Sequence, residues 1–108
     1  LWQEYKELDL AVPLMNVIRR ILEHYFLQIC GYDGSQLRDI VLKNGKDGEQ
    51  SEYERAMLAY ISSSTYGVND GFYHIEDAFD VEQCRNAFRR IFDRMNQIQH
   101  YNMMMGNN

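Results

Sequence analysis

Between Pro13 and Gly31, the apolar residues Leu14, Val17, Ile18, Ile21, Leu22, Tyr25 and Ile29 recur at the three- and four-residue steps of one helical face. A helix with such a stripe is stable in water only when the stripe is covered, so the chain must wrap other elements around it. Both ends are marked. Val12 precedes proline and is pushed out of the helical region, while Pro13 suits a first turn because its missing N–H would go unbonded there anyway. Gly31 supplies the residue that ends a helix in a left-handed conformation.

The other segments read as further helices. A short one is expected at about Trp2 to Leu8. A third is expected to be capped by Ser35, to run through Leu37, Ile40, Val41 and Leu42, and to stop at Asn44-Gly45. After the polar link Gly45 to Gln50, Ser51 and Glu54 have the spacing of a capping box for a helix reaching about Ser63. Periodicity then fails from Ser64 to Phe79, where Gly67, Asn69, Asp70 and Gly71 are turn formers around Tyr66, Phe72, Tyr73 and His74. Asp80 and Gln83 form a second box, and Val81, Cys84, Phe88, Ile91, Phe92 and Met95 give the apolar face of a last long helix. The tail from Gln99 to Gly106 is assigned to no element. No strand pair, internal repeat or low-complexity linker divides the sequence. The expectation is therefore one all-α domain over residues 1–108, a bundle of about four to five helices.

At 108 residues, with 45% hydrophobic and 25% charged residues, the chain is an ordinary globular sequence. It can bury roughly two-thirds of its unfolded surface without metals or disulfides. Cys30 and Cys84 both fall within helical periodicity, where reduced cysteines act as small core hydrophobes, and this points to a reducing, cytoplasmic setting. No secretory signal and no run of bilayer length is present. Leu1 stands where a start Met would, and the first residues read like the middle of a helix, so a C-terminal piece of a larger chain is expected. The glycines around 67–71 lack the strand and Lys of a phosphate loop, and there is no serine-hydrolase elbow. His24, His74 and His100 do not pair closely with each other or with the cysteines, so no metal site is expected.

Four ionisable residues stand out on the second helix. Arg19 and Glu23 share one stripe, and Arg20 and His24 share the next. The plain reading is a solvated face with an i,i+4 ion pair worth about 0.2–0.5 kcal/mol. The last helix carries Arg85, Arg89, Arg90 and Arg94 against Glu82 and Asp93, which suits either local ion pairs, such as Arg90 with Asp93, or a surface for phosphates. His74, in a loop, could move a proton near neutral pH if a cleft held it. The net charge of -5 excludes a nucleic-acid coat but leaves room for a local basic face.

Met15-Asn16-Val17-Ile18-Arg19-Arg20-Ile21-Leu22-Glu23, the loop Asn69-Asp70-Gly71 leading to His74, Phe88-Arg89-Arg90-Ile91-Phe92, and the terminal His100-Tyr101-Asn102-Met103-Met104-Met105-Gly106 together resemble the C-terminal region of bacterial ATPases related to the anticodon nucleases PrrC and RloC. The likeness spans Leu14 to Gly106. It implies an HEPN-like helical ribonuclease region placed downstream of an ABC-type ATPase in phage defence. ATP is then expected only in that upstream portion, which would act in cis, with no cofactor in this segment.

The resemblance further implies an Arg-x-x-x-Glu pair completed by a distant histidine, matched here by Arg19, Glu23 and His74. In such a site the guanidinium would stabilise charge on phosphorus, and the histidine or carboxylate would move the 2'-hydroxyl proton, giving a cyclic phosphate without metal. HEPN proteins also show Arg followed by His after four to six residues, which fits Arg19 with His24 and Arg94 with His100, so His100, Arg94 and His24 stand as alternatives. Arg20, Arg85 and Arg89 are the expected contacts to RNA, tRNA in particular. A second expectation is a non-catalytic helical module that makes a homo-oligomer of the ATPase or docks a partner protein through its Met-rich tail.

Overall fold

The apolar stripe is buried as its spacing demands: Leu14, Val17, Ile18, Ile21 and Leu22 are all in the core, joined by Met15 and Phe26. Around it the computed structural model describes residues 1–44, 52–62 and 80–106, and every regular element among them is helical. These are α1 (Trp2–Glu7), α2 (Ala11–Leu22), a π-helix continuing α2 (Glu23–Ile29), α3 (Gly34–Asn44), α4 (Glu52–Ser62), α5 (Val81–Arg94) and α6 (Ile98–Met105). The small helical bundle read from the sequence is the architecture found.

Several boundaries differ from the sequence reading, each for a local reason. Helix α2 starts at Ala11, after an extended Leu10, because Pro13 still lies among the first turn's unbonded amides. Asp33 caps α3, and Ser35 does not. The Asp33 carboxylate accepts the Gln36 amide at 2.8 Å, while the Gln36 side chain accepts the Asp33 amide at 2.9 Å, a reciprocal box that starts two residues before the expected cap. Asp80 caps α5 as expected, accepting the Glu82 amide at 2.7 Å. The tail left unassigned is helix α6, closed by Gly106 at φ +83°. Ser51 and the 64–79 loop, including His74, lie outside the described residues.

The largest difference lies in the second half of the long helix. From Glu23 the backbone takes i→i+5 bonds; for example, the Cys30 amide donates to the Tyr25 carbonyl at 2.9 Å. The wider turn rotates the following side chains out of an α-helical register. Phe26 therefore enters the core, whereas Ile29, assigned to the stripe, is 62% exposed. Cys30 is carried outward too, contrary to its expected core place. Cys84 stays in the core, where burial pushes its thiol up to about 11, leaving it an unreactive filler.

Helix α5 lays Cys84, Ala87, Phe88, Ile91 and Phe92 against this core. Trp2 closes one end, its ring 5.5 Å from Phe88 and 5.8 Å from both Phe92 and Tyr101, in the tilted and edge-on arrangements that aromatic quadrupoles favour. The arginines of α5 are partly absorbed by the fold. Arg85 donates to the carbonyls of Tyr5 and Leu8, satisfying the free end of α1, and lies 4.8 Å from the Tyr5 ring centre. Arg90 and Arg94 both reach the carboxylate of Glu54 on α4, one at each oxygen. Glu54 is fully buried, so the pair of cations is what permits its charge inside the protein.

Two substitutions test this account by urea unfolding. Glu54→Gln keeps the shape but removes the buried negative charge that Arg90 and Arg94 both face, and is expected to cost about 3 kcal/mol; a loss below about 1 kcal/mol would refute a buried ionic lock between α4 and α5. Asp80→Ala removes only a cap and is expected to cost about 1 kcal/mol.

Candidate functional site

Among the described residues, the π-helix also shapes a cleft in which chemically versatile side chains gather. A single π turn is rare and costs helical regularity, and such turns recur at functional sites. Here it presents His24, Tyr25 and Ile29 toward α1 and α6, which contribute Trp2, and His100 with Met104, respectively. With Ile21 of α2 and Leu1, these residues enclose a cavity of about 290 Å³.

His100 forms the inner wall. Its ring lies parallel to that of Tyr25, 4.0 Å between centres and 13° between planes, and Trp2 meets it edge-on at 6.2 Å. Tyr25 is fixed in turn by donating its hydroxyl hydrogen to Gln97 at 2.7 Å. Burial holds the His100 imidazole below its ordinary pKa, so it is neutral at physiological pH, and burial followed by the nearby Cys30 raises the Tyr25 hydroxyl. His24 is exposed at the opposite rim. Its Nδ1 lies 3.1 Å from the side-chain oxygen of Gln28. The lining side chains include no carboxylate and no guanidinium; Arg20 stands one turn before His24, exposed and 3.8 Å from Glu4.

The structure separates the residues that the sequence reading grouped. Arg19 and Glu23 do meet, at 3.7 Å, and the Arg19 side chain is only 22% exposed with no hydrogen bond at Nε. Neither residue lines the cleft. His74 falls outside the described residues. Arg94 and His100 part company: Arg94 is held on buried Glu54, while His100 faces the cleft. Arg85, expected on RNA, is occupied by the carbonyls of α1; Arg89 is exposed on α5. Among the described residues no group of three or more His, Cys, Asp or Glu side chains is placed to hold a metal.

Sequence reasoning missed Trp2, Tyr25, Ile29 and Met104 as site residues: Tyr25 and Ile29 have the spacing of a core stripe, Trp2 is placed only in a short first helix, and Met104 lies in a tail assigned to no element. One signal was present: each histidine of the cleft precedes a tyrosine, in His24-Tyr25 and in His100-Tyr101. Comparison of the chain with protein-family models, with curated proteins and with solved structures gives no match.

The burial of His100 has a measurable consequence. A histidine whose folded pKa lies below its unfolded value adds stability that is complete above about pH 6.5 and is lost as the pH falls toward the folded pKa, because the unfolded chain takes up the proton first. NMR titration is expected to place the His100 imidazole below its ordinary value. A pKa at or above that value would contradict the desolvated stack on Tyr25.

Proposed function

We propose that this chain is a metal-independent ribonuclease domain acting on tRNA in the cytoplasm, the downstream part of a phage-defence ATPase of the type it resembles. The observation that supports this reading is the presence of two imidazoles, His24 and His100, in one cleft, with the exposed Arg20 one turn from the first. Cleavage without a metal needs one group to take the 2'-hydroxyl proton and another to give a proton to the departing 5'-oxygen. His100, kept neutral by burial, suits the first role. His24, open to solvent, suits the second, with Arg20 facing the phosphate charge. The attacking 2'-oxygen bonds to phosphorus as the bond to the 5'-oxygen breaks, leaving a 2',3'-cyclic phosphate and a free 5'-hydroxyl. ATP belongs to the upstream portion, whose state would govern cleavage in cis.

This assignment moves the reaction from Arg19, Glu23 and His74 to the alternatives His24 and His100. Arg19 and Glu23 remain close enough to act as the resemblance implies, so the same experiment covers both sets.

A second reading, a non-catalytic domain that dimerises the ATPase or docks a partner, is favoured by one observation. Arg85, Arg90 and Arg94 are bound to other parts of the fold, while Ile29 at the cleft and Met103 outside its lining expose apolar surface.

Incubation of the ATPase-containing protein with total tRNA and ATP, followed by a quench and a denaturing gel, decides between them, with the isolated chain run in EDTA. Discrete fragments are expected, slowed at least about 100-fold in His24→Ala and in His100→Gln. Loss in Arg19→Ala and His74→Ala alone would relocate the site to the Arg-Glu pair. Intact tRNA in every lane would overturn the ribonuclease and leave the docking module.

A further inference from the structure

The cleft has a shape and chemistry of its own, apart from any proton it moves. It is lined by His100 and Tyr25, whose rings stack on each other, by Trp2, and by the aliphatic side chains of Ile21, Ile29 and Met104. The volume of about 290 Å³ is close to the lower end of small-ligand pockets, roughly 300 Å³. A lining of aromatic and aliphatic side chains suits a flat ring, which every nucleobase can offer; contact of a base with aromatic side chains contributes roughly 1–3 kcal/mol. With no carboxylate and no guanidinium among its lining side chains the cavity suits a neutral ring, whose edge the imidazole nitrogens can meet with hydrogen bonds. The π turn, which sets His24, Tyr25 and Ile29 around the opening, is the second feature that marks the place as built for contact.

We infer that this cleft is a binding site for a neutral, planar heteroaromatic ring of nucleobase type, taken either from a free nucleoside or from an unstacked base of single-stranded RNA. The ring would enter past Ile29 and lie beside His100 and Tyr25, with any ribose and phosphate at the mouth of the cleft, within reach of its histidines and on the side of Arg20. The inference deepens the ribonuclease reading only in naming RNA as one source of the ring; the binding itself requires no cleavage.

Trp2 is the only tryptophan in the chain and lines the cleft, so its fluorescence reports occupancy. Adenosine and a 2'-O-methyl adenylate hexamer, which cannot be cleaved by 2'-hydroxyl attack, are titrated separately in EDTA. Saturable quenching by at least one of them is expected. Equal affinities would identify the ring alone as the ligand, and a hexamer at least about 10-fold tighter would identify a base carried on a strand. Ile29→Glu, an exposed position at the rim, is expected to weaken binding at least about 10-fold, whereas Met103→Glu, exposed but outside the lining, should leave it unchanged. Absence of quenching up to about 5 mM of either probe, or equal loss in both variants, would overturn the inference. Binding without tRNA cleavage would remove the ribonuclease and keep the ring site; cleavage unaltered in Ile29→Glu, with no quenching, would do the reverse.

Discussion

Everything in this fold is arranged around the contact between α2 and α5. Leu14, Ile18, Ile21 and Leu22 present one continuous apolar face, and Phe88, Ile91 and Phe92 present the other. Each such side chain contributes roughly 1.5–3 kcal/mol on leaving water, far more than any exposed ion pair of the surface. The remaining helices cover what this pair leaves open. Helix α4 packs against both; α1 and α6 close the end where Trp2 meets Phe88, Phe92 and Tyr101.

That arrangement divides the arginines by depth. On α5, Arg90 and Arg94 turn to the buried Glu54, and Arg85 turns to the last carbonyls of α1; each fastens a neighbouring helix to the central pair. On α2, Arg20 faces water and Arg19 lies half-covered beside Glu23. A basic helix in a sequence of net charge -5 is thus largely a set of fasteners. The positive charge still available to a ligand is local, and on this side of the molecule Arg20 provides it next to the cleft.

The α2 and α5 helices were legible because their information is local: apolar steps of three and four, a cap, a proline and a glycine. The α3 cap was misread because Ser35 alone was considered, whereas Asp33, two residues earlier, makes the reciprocal bond with Gln36. Glu54 was read as a helix-start residue from its distance to Ser51, since nothing local reveals two cations arriving from a helix 36 and 40 positions away. The cleft was least legible of all. Its walls come from three parts of the chain, and its opening depends on a winding for which the sequence carries no mark. His24 and His100 were named as candidates, yet as members of different pairs.

The π-helix makes the cleft a matter of counting as much as of side-chain identity. Seven residues, Glu23–Ile29, occupy wider turns than an α-helix would allot to them, as though one residue had been slipped into a finished helix. Removing a single residue there would rephase the end of the segment and draw Ile29 from the mouth of the cleft back onto the apolar stripe, while α2 and α5 kept their packing. The domain could in this way gain or lose its cavity by one codon, with its core untouched.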